Sequence, residues 1–271
     1  MPSDADIASK QVETVMILGV PVSAIDMTQA LAAIGDLVAT RRGGFICVAD
    51  VHSVMQARTN MKHRAALEAA ALVTPDGTPL SWVGRLRGFS SMARVSGPDL
   101  LPAACAASRE TGWRHYFYGG AEGVADELAR RLSQRFPGLV VAGTECPPFR
   151  ALSQDEMQAA LDRIVAAKPD IVWVGLGCPK QELWMHEHAS KLAGAVSIGI
   201  GAAFDFHAGR IHRAPVWMQR NGLEWLHRLW SEPRRLWYRY LVLAPKFVTA
   251  ALAEHYRLRR MRRQTVSSGR A

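Results

Sequence analysis

"SQDEMQAALDRIVAAKPDIVWVGLG", residues 153–177, holds the reading on which the fold turns. Ser153 followed three residues later by Glu156 spells a capping box, and it opens an amphipathic helix over 153–168. Beyond Pro169 the periodicity changes. "DIVWVGLG" (170–177) is apolar at consecutive positions, as a strand covered on both faces is. Working outward, "FICVADV" (45–51), "HYFYGG" (115–120), "LVVAGTE" (139–145) and "AVSIGIG" (195–201) read as further strands, and "AEGVADELARRLSQRF" (121–136) as another helix. Strand alternating with helix predicts α/β architecture: a Rossmann-like, mostly parallel sheet with helices on both faces, over residues 1–206.

From His207 the pattern is different. Trp217, Trp225, Trp230 and Trp237 stand among many arginines, Pro233 and Pro245 read as helix interruptions, and the basic end reads as frayed. Residues 207–271 therefore form a basic, helical carboxyl-terminal appendage. Charge divides the same way. Residues 1–206 hold 19 Lys/Arg against 21 Asp/Glu, whereas residues 207–271 hold 14 against 3, so the entire net charge of +9 sits in the last quarter. Such a surface seeks an anion: lipid headgroups, a diphosphate or nucleic acid. Nothing upstream resembles a base-reading module, which argues against nucleic acid.

At 271 residues and 49% hydrophobic content, the chain is globular with ample core. Cys47, Cys105, Cys146 and Cys178 are scattered without a CxxC pair, which fits a reducing compartment and offers neither a disulfide framework nor a zinc signature. The first 22 residues lack a basic region before their apolar stretch, and no run of 18 clean apolar residues occurs, so a cytoplasmic location is expected.

Ligands of doubly wound sheets bind beyond the carboxyl ends of the strands. In "ALVTPDGTPL" (71–80), Pro75, Asp76 and Gly77 suit a turn in which Asp76 bonds its own backbone; the same aspartate could take a proton from a substrate. Gly119, Gly120 and Gly123 lie between strand and helix, where backbone N–H groups approach phosphates. Their spacing is GGxxG, and no ribose-binding acid follows at about 20 residues, so nucleotide contact and tight packing both stay open. In "VGLGCPKQELWMHEH", Gly177 ends a strand and Lys180 and Gln181 stand at a helix mouth, able to hold a sugar hydroxyl or a phosphate. His186 and His188, two apart, do not make a metal pair. Asp205, His207 and His212 match no ligand spacing, and Asp4-Ala-Asp6 spells DxD in a polar tail with no strand before it; no metal is expected.

Taken in order, "ALVTPDGTPLSWVGRLRG", "ARVSGPDLL", "YFYGGAEGV", "DIVWVGLGCPKQELWM" and "IGIGAAFDFHAGRIHRAPVWMQRNGLEWLHRLWSEPRRLWYRY" resemble the WecG/TagA/CpsF group of bacterial glycosyltransferases (family 26), over roughly residues 15–242. The resemblance implies inverting transfer of a sugar from a UDP-sugar to a polyprenyl-diphosphate-linked saccharide, without an essential metal or other cofactor. Among the donors used in the family are UDP-N-acetylmannosamine, its uronic acid, UDP-glucuronic acid and other UDP-hexoses. By the same resemblance Asp76 is the candidate general base, Arg94 and Gln181 are candidate substrate contacts, and the basic tail meets the inner face of the membrane. Thr74, Lys180, Gly119, Gly120, Gly177 and Asp205 complete the expected substrate site. Asp50 joins them with a reservation, since the family usually has asparagine there.

Leaving UDP gains charge that guanidinium groups can meet, and Arg210, Arg213, Arg220 and Arg228 are candidates. The tail mixes arginine with Trp237, Tyr238 and Tyr240, while Arg239, Pro245 and Lys246 favour an interfacial over a spanning helix. Two rival readings are an NAD(P)-dependent oxidoreductase on the same fold and a non-catalytic, membrane-adhering module. Donor sugar, acceptor, linkage and oligomeric state, a homo-oligomer included, are not legible.

Overall fold

The computed structural model describes residues 12–268; Asp4 and Asp6 lie outside the described residues. Among the described residues eight strands occur: β1 (Thr14–Ile17), β2 (Val20–Ser23), β3 (Gly44–Ala49), β4 (Leu72–Pro75), β5 (Arg114–Gly119), β6 (Val140–Glu145), β7 (Ile171–Gly175) and β8 (Val196–Gly199). The last six form one parallel sheet in the order β4-β3-β8-β7-β5-β6. The Rossmann-like α/β expectation is met.

Right-handed crossovers decide which face each helix covers. Steps in one direction across the sheet (β3 to β4, β6 to β7, β7 to β8) put Val51–Ala57, Met61–Ala69, Gln154–Ala166 and Lys180–His188 on one face. Steps the other way (β4 to β5, β5 to β6) put Gly97–Thr111 and Val124–Arg135 on the opposite face. Packing follows. Val54, Leu67, Leu161 and Met185 share a core with Cys47, Tyr118 and Val172, while Leu100, Ala104, Leu128 and Leu132 share another with Ile46, Phe117 and Trp173. Adjacent strand residues thus feed different cores, which is why these strands read as unbroken apolar runs. The expected capping box is formed: Glu156 N–H donates to Ser153 Oγ at 3.2 Å, and Ser153 N–H to Glu156 Oε2 at 2.8 Å.

Three features depart from the sequence reading. β1 and β2 form an antiparallel hairpin through Leu18 and Gly19, both at positive φ, and Ser23 Oγ accepts from Val73 N–H at 3.1 Å, so the hairpin shields the edge strand β4. Pro245 does not interrupt a helix. It falls in the first turn of Ala244–Ser268, straight after a π-helical segment, Tyr238–Leu243, where its missing N–H costs nothing regular. The basic end is helical to Ser268 rather than frayed. That helix buries Phe247 and Ala251 in the core, and Glu254 ties it down by accepting from Leu18 N–H at 3.0 Å and pairing with Arg87 at 2.5 Å.

Beneath β5 and β7 a polar chain is fully satisfied. Trp173 Nε1–H donates to His115 Nδ1 at 2.9 Å, which leaves the proton on Nε2 for Ser108 Oγ at 2.7 Å; Ser108 in turn donates to Ala104 O at 2.6 Å. Burial lowers the His115 pKa to about 4, below the 6.5 of an exposed imidazole. The unfolded chain therefore binds the extra proton between these values, and stability falls as pH drops from about 6.5 towards 4. Urea unfolding at pH 7 and pH 4.5 should show a loss of up to about 3 kcal/mol from this site, reduced in His115→Gln.

Candidate active site

The carboxyl ends of β3, β4, β5, β7 and β8 bring Asp50, Asp76, Gly120, Gly177 and Gly201 to one edge of the sheet. Asp76 is fixed there by its backbone. Its N–H donates to Ala49 O at 2.7 Å, and the preceding carbonyl, Pro75 O, accepts from Val95 N–H at 2.9 Å. Gly77 takes the positive φ of the turn (97°), as the triplet required, and leads into the helix Thr78–Leu86. The side chain does not close that turn: Gly77 stands at the cap, and no side-chain hydrogen bond is made there. The Asp76 carboxylate, 31% exposed, instead faces Arg94 Nε at 3.9 Å. Burial raises its pKa to about 6, outweighing the downward pull of Arg94 and Arg228; Glu224 and Asp99 add to the rise.

Arg94 belongs to a four-membered charge ring. Its Nη2 lies 2.7 Å from Glu224 Oε2 and 3.9 Å from Asp99 Oδ2, while Arg213 reaches Asp99 Oδ1 at 2.5 Å and Glu224 Oε1 at 2.9 Å. Ser96 Oγ donates to Asp99 at 2.6 Å. Arg94 and Asp99 come from the core; Arg213 and Glu224 come from the appendage. The sequence reading named Arg94 and Arg213 and missed Asp99 and Glu224. Both acids sit inside quoted stretches, and only the presence of facing arginines marks them.

Other expected residues divide by what holds them. Asp50 caps the helix Val51–Ala57, accepting from Ser53 N–H at 2.9 Å, and its other oxygen pairs with Arg239 of the appendage. Thr74 is buried and donates to Val95 O at 3.3 Å, fastening the strand end beside Asp76. Gln181 is buried; its Oε1 accepts from Gly177 N–H at 3.2 Å and its Nε2 donates to Glu182 at 2.9 Å, so it shapes the Gly177 turn from below. Gly177 adopts φ 78° in that turn, and Lys180 is exposed at the helix mouth. Gly119 and Gly120 serve close packing: a Cβ on Gly119 would stand 2.6 Å from the Gly175 carbonyl, and one on Gly120 would stand 2.8 Å from Val124. The helix beyond them carries Asp126 and Glu127 in its first turn, at the end where its dipole favours negative charge.

Asp205 is half-buried, with its carboxyl raised by burial against the opposing pull of Arg235 and Arg210. His207 Nε2 bonds Pro98 O at 2.8 Å, and His212 is exposed. Arg228 lies over the Phe206 ring at 5.5 Å, Arg210 donates to Glu122 O at 3.1 Å, and Arg220 is exposed.

Residues 15–261 match the glycosyl transferase WecG/TagA/CpsF family. The chain belongs to that family. This WecG/TagA/CpsF glycosyltransferase is 35% identical over 211 residues, 78% of its length and 79% of the relative's, to the N-acetylglucosaminyldiphosphoundecaprenol N-acetyl-beta-D-mannosaminyltransferase of Bacillus spizizenii (strain ATCC 23059 / NRRL B-14472 / W23). It is 32% identical over 188 residues, 69% of its length and 71% of the relative's, to the protein of the same name from Bacillus subtilis (strain 168). The family span takes in both the sheet and the appendage, and with them all four members of the charge ring.

The Asp50–Arg239 pair separates two roles. Asp50→Asn keeps an equally good helix cap but loses the ionic partner, a change of about 1.5–3 kcal/mol in the docking of the appendage. Limited trypsin digestion should cut within residues 209–243 roughly 10–100-fold faster, while core unfolding shifts little.

Proposed function

We propose that this glycosyltransferase moves a sugar from a UDP-sugar to a polyprenyl-diphosphate-linked saccharide by a single inverting displacement, with Asp76 as general base. The observation that carries the assignment is the Asp76 carboxylate itself. It is held at a strand end, is not spent on its own turn, and is partly open beside Arg94. In this reading the acceptor O–H attacks the anomeric carbon, its proton passes to Asp76, and the bond to UDP breaks as the new glycosidic bond forms. A base near pKa 6 is ionised at neutral pH yet basic enough to take a proton in the transition state. The charge released on UDP is met by guanidinium groups rather than a metal. Arg94 and Arg213 come first, being already aligned on carboxylates in the crevice, with Arg228 next. The relatives' names, which give a diphosphoundecaprenol-linked acceptor and an N-acetylmannosaminyl group, make UDP-N-acetylmannosamine the first donor to try.

The same reading seats the protein on the inner membrane surface. Among the described residues, no helix is long and apolar enough to cross a membrane. The helix Ala244–Ser268 instead has three sectors. Phe247 and Ala251 face the core, Val248, Leu252 and Tyr256 form an exposed apolar stripe at spacings of four, and Lys246, Arg257 and Arg260 are exposed beyond it. An in-plane helix needs such an arrangement: one side docked, one in the acyl boundary, one on anionic headgroups.

UDP release should require both donor and acceptor, and Asp76→Asn should lose about 10²–10⁴-fold in rate while still binding donor. The wild-type kcat/KM profile should fall on the acid side of about pH 6 as Asp76 takes up its proton. A mutant matching wild type would remove Asp76 from the chemistry. Leu252→Ser with Tyr256→Ser should weaken co-sedimentation with anionic vesicles by more than tenfold and leave the circular dichroism spectrum unchanged.

A further inference from the structure

Directly under the Gly177 turn, three side chains of different donor chemistry converge. His63 comes from the helix Met61–Ala69, Cys178 from the turn itself, and Glu182 from the helix Lys180–His188. One nitrogen, one sulfur and one oxygen from them lie within 4.8 Å of one another. His63 Nε2 is 3.9 Å from Glu182 Oε2 and 3.9 Å from Cys178 Sγ. The Ser53 hydroxyl, 3.3 Å from the same nitrogen, borders the group as a further oxygen.

Hydrogen bonding leaves this cluster unfinished. The Glu182 side chain is 1% exposed, and its Oε1 is used by Gln181, but Oε2 has no hydrogen-bond partner among the described residues. An ionised carboxylate so placed costs several kcal/mol unless a counter-charge reaches it or a proton neutralises it. The separation from His63 is too long for a hydrogen bond between the two. It is close to what two ligands of one ion require. Zinc bonds of about 2.0–2.3 Å at tetrahedral angles place neighbouring ligand atoms about 3.4–3.6 Å apart, so the two 3.9 Å separations need side-chain shifts of a few tenths of an ångström, and the Cys178–Glu182 pair, within 4.8 Å, closes by at most about 1 Å. A thiolate and a carboxylate together also neutralise a dication, which removes the burial problem for all three charges.

We propose that His63, Cys178 and Glu182 form a structural site for a thiophilic divalent cation of the zinc class, with the fourth position left to Ser53 or a solvent molecule. The ion staples the helix Met61–Ala69 to the turn that Gln181 supports. Its place is beneath the crevice, and the transfer chemistry proposed for Asp76 does not pass through it. Sequence spacing shows no metal signature because His63 and Cys178 are separated by 115 residues.

The test uses the full-length protein, stripped with a chelator and then titrated with Zn²⁺ or Co²⁺. One equivalent should bind, Co²⁺ should give the intense visible bands of a tetrahedral site with a thiolate-to-cobalt charge-transfer band, and Zn²⁺ should raise Tm. Cys178→Ala should abolish the charge-transfer band. Glu182→Gln, which preserves shape, should weaken Zn²⁺ binding at least 100-fold and cancel the Tm rise. If neither cation alters the spectrum or Tm of the wild type, or if binding survives both substitutions, the cluster is not a metal site. A Glu182→Gln protein more stable than wild type with or without Zn²⁺ would likewise overturn the proposal, since it would mark Glu182 as a buried acid with no ion to serve.

Discussion

Two arginines and two acids, shared crosswise between sheet and appendage, govern how the crevice is built. Arg94 of the core binds Glu224 of the appendage, and Arg213 of the appendage binds Asp99 of the core. Arg213 also pairs with Glu224 inside the appendage, and Arg94 stands 3.9 Å from Asp99 inside the core, so the crosswise contacts close a ring. With the appendage docked each of the four charges meets two partners; without it Arg94 would lose its 2.7 Å contact to Glu224 and Asp99 its 2.5 Å contact to Arg213. Because Asp76 is next to Arg94, its basicity depends on the ring as well. The ring raises and lowers that carboxylate through opposed contributions, so the position of a segment more than 130 residues away in sequence helps to set the proton affinity at the end of β4.

The charge asymmetry of the chain takes on a more specific meaning in this light. An excess of fourteen cations over three acids after residue 206 looks, as sequence, like a surface meant for a distant anion. Part of it is spent inward. Arg213 serves Asp99, Arg239 serves Asp50, and Arg210 holds the Glu122 carbonyl. Others face outward, at Arg220, Arg234 and Arg235 and along the last helix at Lys246, Arg257, Arg259 and Arg260, beside an apolar stripe that includes Leu252 and Tyr256. One basic composition thus serves docking and, in the proposed function, surface adhesion, and only three-dimensional placement separates the two.

Much of the fold was legible because its signals are local. Ser153 with Glu156 marks a helix start within four residues, and "IVWVG" marks a strand buried on both faces through five consecutive apolar positions. The PDG turn was legible for the same reason, with Gly77 at positive φ as its chemistry demands. The β1–β2 hairpin was not, because its turn is Leu18-Gly19 without the usual Asn or Asp, and its strands have only four residues each. Within the site, Asp76 and Arg94 could be named because each lies in a distinctive motif. Asp99 and Glu224 could not, since an acid becomes a site residue here only by meeting an arginine folded onto it from elsewhere. Pro245 misled for a related reason: a proline breaks a regular helix, but here it follows a π-helical segment.

Strand order carries a consequence for how the chain is made. β3 and β4 pair with each other early, yet they join the rest of the sheet only through β8, about 150 residues downstream. At about 5–20 residues per second of translation, the strand pair, complete once β4 is made, waits roughly 6–25 s for the strand that joins it to the sheet. Throughout that interval the inner edge of β3 offers unpaired backbone groups to any strand nearby. The hairpin that shields β4 protects the outer edge alone, so the nascent chain passes through its most association-prone stage with one flank covered and one open.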